Sequence, residues 1–167
     1  MGYLTERLKG VALFEGLTEE QIGTVLSIGQ ETRWVEGETI CTEGETGETI
    51  YIIYKGSIKV AKRLTLQQGG KEDDPSEKVL TNLDATVPII VGEVAMLTEP
   101  ERSATITATT ECTALVLTAS DLRMLCHTDS ALGFTLMKNL ASILSNRLRQ
   151  ANRDVVRLAT ALTIALG

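Results

Sequence analysis

Histidine is almost absent from this chain: His127 is the only one in 167 residues. A metal centre built from histidines and carboxylates needs several such ligands in one cluster, so that chemistry is not expected. Cysteine is scarce as well. Cys41, Cys112 and Cys126 are odd in number and far apart, and no Cys-x-x-Cys occurs. They read as reduced thiols of a cytoplasmic protein rather than as a disulfide framework or a zinc site. Long apolar runs are missing too. Leu158 to Leu166 is far shorter than the ~20 residues of a membrane span, and Thr5 to Lys9 is too charged for a signal-peptide core. Basic residues are outnumbered, 16 against 22 acidic, for a net charge of −6. Such a chain is a poor candidate for gripping a nucleic-acid backbone, which is held by lysine and arginine. Neither a P-loop Gly-Lys-Ser/Thr nor a Gly-x-Ser-x-Gly elbow is present. The chain is therefore not expected to be an enzyme, and no catalytic residue, metal ligand or cofactor is assigned.

What is present fits one domain over residues 1–167, in three parts. Residues 1–30 read as helices. Leu4, Leu8, Val11 and Ala12 fall at helical spacing, and Thr18 with Gln21 forms a capping box for a helix over about 19–29. Its buried face would carry Ile22, Val25, Leu26 and Ile28. Residues 31–118 turn to short β-branched segments between glycines. The candidate strands are 39–41, 49–54, 57–62, 78–83, 103–108 and 113–118. Gly44, Gly47 and Gly56 read as turn glycines with positive φ. Residues 67–77 are polar, with Gly69, Gly70 and Pro75, and read as a mobile hairpin loop. This spacing suggests a sandwich or jelly roll. Residues 119–167 return to helical period, with Ser120 as the expected cap of a short helix over 121–126.

A long helix then starts at Asp129 or Ser130 and runs to about Ala165. Along it, Met137, Ala141, Leu144, Leu148, Ala151, Val155, Leu158, Leu162 and Ala165 alternate at intervals of four and three. That is a heptad seam. It admits two readings, an amphipathic helix packed on its own domain or a parallel homodimer. Arg149, Arg153 and Arg157 form a separate stripe that reads as a solvated face, with Asp154 pairing locally.

Two motifs carry a family resemblance. One is Gly44-Glu45-Thr46-Gly47 followed by Thr49-Ile50-Tyr51-Ile52-Ile53-Tyr54-Lys55-Gly56. The other is Gly92-Glu93-Val94-Ala95 with Arg102-Ser103-Ala104 nine residues beyond the glutamate. Together they resemble the cyclic-nucleotide-binding domains of the catabolite activator family, of cAMP-dependent kinase regulatory subunits and of cyclic-nucleotide-gated channels. The resemblance implies a mainly β fold with flanking helices: a jelly-roll β-barrel, N-terminal helices and a long C-terminal dimerisation helix. It also implies that residues 92–105 are a phosphate-binding cassette.

Within that cassette the residue chemistry suits the role. The Arg102 guanidinium matches a cyclic phosphate in a planar fork. Residues 94–98 could form a helical turn whose N–H groups face the same phosphate, and Ser103 could add a hydroxyl or N–H. Glu93 would repel phosphate but can accept from a ribose 2′-hydroxyl. The competing reading is that Glu93 and Arg102 simply pair with each other. The expected ligand-binding set is Gly92, Glu93, Val94, Ala95, Arg102, Ser103 and Ala104, with Asn152 reaching a base across a dimer; an ordinary solvated Asn152 is the alternative. The implied function is a sensor for cAMP or cGMP that relays a change through its C-terminal helix to a protein partner. A dimerisation module without nucleotide, or a regulatory fragment of a larger transcription factor, are the other readings. Since the chain stops at Gly167 with no helix-turn-helix, DNA binding by this chain alone is not expected, nor is a membrane partner.

Overall fold

The computed structural model describes residues 2–64, 76–97 and 101–166. Eight strands among them form two antiparallel four-stranded sheets. They are β1 (Gln30–Trp34), β2 (Thr39–Cys41), β3 (Thr49–Lys55), β4 (Ser57–Leu64), β5 (Ser76–Asp84), β6 (Ile89–Val91), β7 (Thr105–Ala108) and β8 (Cys112–Thr118). One sheet has the order β1-β8-β3-β6 and the other β2-β7-β4-β5. Helices α1 (Gly2–Leu8) and α2 (Glu19–Ser27) precede the sheets, and α3 (Ala119–Thr128) and α4 (Ser130–Leu166) follow them. This is the expected mainly β architecture with flanking helices and a long C-terminal helix. No helix among the described residues is long and apolar enough to cross a membrane.

Strand β3 shows why the two halves of the molecule cohere. Its residues Ile50 to Tyr54 are all buried, so it lacks the polar alternation of a half-solvated strand. Alternate side chains face opposite ways. Ile50, Ile52 and Tyr54 join Leu8, Phe14, Leu122, Leu136 and Leu140 in a core beneath the helices. Tyr51 and Ile53 join Ile58, Ile106 and Ala114 in a second core between the sheets. Complete burial of one such aliphatic side chain stabilises by about 1.5–3 kcal/mol.

The segment 1–30 differs from a continuous helical reading. Val11 is extended, Ala12–Phe14 is a single 3-10 turn, and Gly16 at φ 80 breaks the chain direction. The Thr18–Gln21 capping box is present, and Ile22 and Val25 are buried at the start of the predicted face. Helix α3 begins earlier than expected. Thr118, not Ser120, accepts from the Asp121 N–H. Two strands escaped the pattern reading: β1, whose Gln30, Glu31 and Arg33 are exposed at a sheet edge, and β6, only three residues long. The predicted loop at 67–77 lies outside the described residues except for Ser76 and Glu77, which belong to β5.

Helix α4 divides into two parts. Leu132, Leu136, Asn139 and Leu140 are buried, and Met137 and Leu144 pack against the core under the helices. Buried Asn139 is satisfied because its amide donates to the carbonyls of Leu13 at 2.9 Å and Glu15 at 2.7 Å. That clamps the start of α4 to the N-terminal turn. From residue 145 onward every described residue of α4 is exposed. The reading of a helix packed on its own domain therefore holds for the first part of the seam. Met137 and Leu144 serve their own domain, while Leu148, Val155, Leu158 and Leu162 stand 62–69% exposed.

Candidate functional site

Arg102 is built into the molecule by backbone. Its N–H donates to the Glu45 carbonyl and its carbonyl accepts from the Gly44 N–H, both at 2.9 Å, in the turn after β2. Its side chain is drawn inward. Nη1 donates to the Thr49 carbonyl at 2.8 Å, and Nη2 to Thr49 Oγ1 at 2.6 Å. The guanidinium carbon lies 5.4 Å from the Tyr51 ring centroid, where the ring face attracts a cation. Trp34 braces Tyr51 edge-on with ring centroids 5.9 Å apart.

Two glycines make room for the guanidinium. A Cβ at Gly47 would sit 2.6 Å from Arg102 Nε, and one at Gly92 would sit 2.7 Å from Nη1 and 2.5 Å from the Thr49 carbonyl. Gly92 also has φ 80, where other residues are strained. Gly44 and Gly56 have the positive φ expected of turn glycines, but Gly47 does not. Its use is the close approach of Arg102. A guanidinium carries five N–H donors, and Thr49 takes two. Among the described residues Arg102 has no carboxylate partner.

Glu93 follows Gly92 at the end of β6 and opens a 3-10 turn over Glu93–Met96; of the helical turn predicted over 94–98, residue 98 lies outside the described residues. The carboxylate is 3% exposed. It does not pair with Arg102. Its Oε1 accepts from Nη1 of Arg147 on α4, and Arg147 Nη2 donates to the Ile90 carbonyl at 2.6 Å. The other oxygen, Oε2, is buried with no hydrogen-bond partner among the described residues. A buried carboxylate oxygen left without a donor costs free energy. An ionised carboxylate only accepts, so this atom calls for a donor.

Both groups open on a cavity of about 670 Å³, within the roughly 300–1,000 Å³ usual for small-molecule sites. Val60, Leu83 and Ile106 supply its sheet wall, and Arg147, Gln150 and Asp154 its α4 wall. Cys41 also borders it, and burial pushes that thiol up. The arrangement offers a cation at one end, a carboxylate acceptor beside it and apolar walls beyond. It suits a small anion carrying a hydroxyl and a flat apolar body.

Residues 31–129 match the family described as cyclic nucleotide-binding domain. The chain belongs to that family. The "Cyclic AMP receptor protein" of Thermus thermophilus is 28% identical over 148 residues, which make up 89% of this chain and 62% of that protein. The crystal structure of the Thermus thermophilus catabolite activator protein aligns with a TM-score of 0.72 at 28% identity, covering 89% of this chain and 63% of the other. A cGMP-dependent protein kinase of Drosophila melanogaster is 32% identical over 95 residues, 53% of this chain and 10% of the kinase. The chain thus spans under two thirds of the length of these relatives. It is a cyclic nucleotide-binding regulatory domain like those of the catabolite activator regulators.

The structure gathers most of the predicted site. Gly92, Glu93, Val94, Arg102, Ser103 and Ala104 all border the cavity, and Ala95 lies in the 3-10 turn beside them. Asn152 is exposed on α4 and does not border the cavity of its own chain. Pattern reading missed Thr49 and Gly47 as partners of Arg102, and Arg147, Gln150 and Asp154 as cavity residues. The last three had a signal, since positions 147, 150 and 154 are spaced along one helix face. Thr49 had none, because its carbonyl is common to every residue.

Proposed function

We propose that this domain binds a cyclic purine nucleotide, cAMP or cGMP, between the cassette and α4, and passes the occupied state through α4 to a partner. One observation carries the reading: among the described residues, a guanidinium without a carboxylate partner and a buried carboxylate oxygen without a donor border the same cavity. A cyclic phosphate answers the first and a ribose 2′-hydroxyl the second. Arg102 holds the phosphate oxygens, Ser103 adds a donor, and the backbone of Gly92, Val94, Ala95 and Ala104 shapes the cradle. Glu93 Oε2 accepts the sugar hydroxyl while Oε1 stays on Arg147. Sugar recognition is thereby tied to α4, because the group that reads ribose is also the group that holds the helix.

The exposed part of the seam supports a parallel homodimer through α4, since Leu148, Val155, Leu158 and Leu162 are otherwise left in water. With these residues at core positions of the heptad, Arg147 flanks the seam on one helix and Asn152 of the second copy flanks it opposite. Asn152 then reaches the neighbouring copy's cavity rather than its own. Calorimetric titration with cAMP and with cGMP tests ligand binding; heat and a thermal shift with either are expected, and neither at millimolar nucleotide overturns it. Light scattering tests the dimer, which a monomer at tens of micromolar overturns.

A further inference from the structure

Resting on the dimer reading of α4 above, we infer that residues 155–166 are a second docking surface, whose occupant is the same segment of another dimer. Two dimers meet tail to tail there, in a short antiparallel four-helix bundle with their bodies at opposite ends.

The surface shows as a change in the width of the apolar stripe. Successive residues of an α-helix are about 100° apart around its axis. Over 145–154 the apolar residues are Leu148 and Ala151 alone, and they span about 60°. Arg147 bounds them on one side and Asn152 on the other, the layout of a two-helix seam. From Val155 the flanks change. Ala159 and Ala161 stand where Asn152 and Asp154 stood one heptad earlier. An apolar arc now runs from Val156 through the seam to Ala161, about 220° wide and interrupted only by Thr163. Arg157 is the one ionisable side chain in the segment. All of it is exposed, Val156 at 64% and Leu166 at 82%. A two-stranded coil covers the core positions of the heptad only; a stripe widened on both flanks is that of a bundle helix touching more than one neighbour.

Area points the same way. Burying a Leu or Val side chain removes about 60–120 Å² from water, and a Phe about 150–250 Å². Leu148, Val155, Leu158 and Leu162, with Phe134 in register two heptads before Leu148, therefore offer roughly 400–750 Å² per chain. A stable interface takes about 800 Å² per partner, and the flanks of the tail supply the remainder. Tail-to-tail overlap also confines the bundle to the wide stripe. The stretch before it has to stay two-stranded, because Arg147, Gln150 and Asp154 border their own domain's cavity. A lipid surface fits less well. Interfacial helices carry a basic polar face, whereas this segment has Arg157 alone, 3.6 Å from Asp154, in a chain of net charge −6.

Sedimentation velocity of the full chain tests the inference. At tens of micromolar the particle is expected to hold four chains, falling to two on dilution. Val156→Glu combined with Ala161→Glu charges both flanks without touching a core position of the heptad. It should hold the mass at two chains at every concentration, with helix content by circular dichroism unchanged, since glutamate is a good helix former. Wild-type particles of two chains overturn the tail-to-tail docking and leave the dimer reading standing. One chain overturns the dimer reading, and this inference with it. Four chains in the double variant overturn the assignment to residues 155–166. Wild-type dimers that co-sediment with phosphatidylserine vesicles, and cease to in the double variant, give the surface to lipid and overturn the inference as well.

Discussion

At the cassette end of the cavity Arg102 and Glu93 are buried, the first held by Thr49 and the second by Arg147; at the α4 end Gln150 and Asp154 are exposed and held by one another. Arg102 is 7% exposed, and Thr49, Gly47 and Gly92 define its position. Gln150 and Asp154 are exposed on a helix that has left the body of the domain. A buried, preorganised contact forfeits little entropy on binding and is weakly screened; an exposed one is screened and mobile. The difference teaches that, under the proposed function, the groups assigned to phosphate and ribose are built into the fold, whereas the α4 wall can vary without disturbing the core.

Three experiments would break or sharpen this contrast. The largest effect belongs to the buried end. Arg102→Ala should weaken nucleotide binding about a hundredfold or more, because it removes charge-assisted hydrogen bonds that nothing nearby replaces. Titration calorimetry measures it, and near-normal affinity would mean that the cassette is not the anchor.

Next comes the residue that joins the two ends. Arg147→Ala leaves Glu93 buried without its cation. A fully buried pair broken this way loses about 3–5 kcal/mol. Arg147 is 48% exposed, so a loss of roughly 1–3 kcal/mol in urea unfolding is expected. Part of it should return when Glu93→Gln is added, since the neutral amide needs no cation.

The smallest effect concerns how α4 is set against the body. Asp129 accepts from the N–H groups of Leu132 and Ala131, each at 3.0 Å, and from the Gln21 amide at 3.2 Å. The Leu132 N–H and the Gln21 amide hold its carboxyl below the usual carboxylate range. A depressed folded-state pKa gives stability that is present above the unfolded value, about 3.9, and lost as pH falls through the folded value. The urea midpoint of the wild type should therefore drop between pH 5 and pH 3 by more than that of Asp129→Asn. Identical pH profiles would remove Asp129 from the anchoring of α4.

The cassette was legible in the chain because its two charged residues are close in sequence and follow Gly92, a glycine with a backbone reason to be there. The pairing between them was not. Glu93 and Arg102 were candidates for each other on spacing alone, and the tertiary fold gave Glu93 to Arg147, 54 residues away. Strand β1 was missed because an edge strand needs apolar residues on one side only, and Gln30, Glu31 and Arg33 hide the alternation. Gly47 was read as a turn residue, since a requirement for space against a distant guanidinium leaves no mark on local sequence.

By itself the amino-acid order determined the period-two and heptad stretches, the Thr18 cap and the identity of the charged groups in the cassette. Each depends on residues within a few positions of one another, where backbone geometry sets the distances. Only the tertiary structure decided which seam residues of α4 are spent on their own domain and which remain exposed. It alone gave Glu93 one oxygen paired with Arg147 and one without a donor among the described residues, and brought Asp154 to the wall of the same cavity. Those outcomes depend on how two sheets and a helix pack, and packing joins atoms whose separation along the chain carries no distance information.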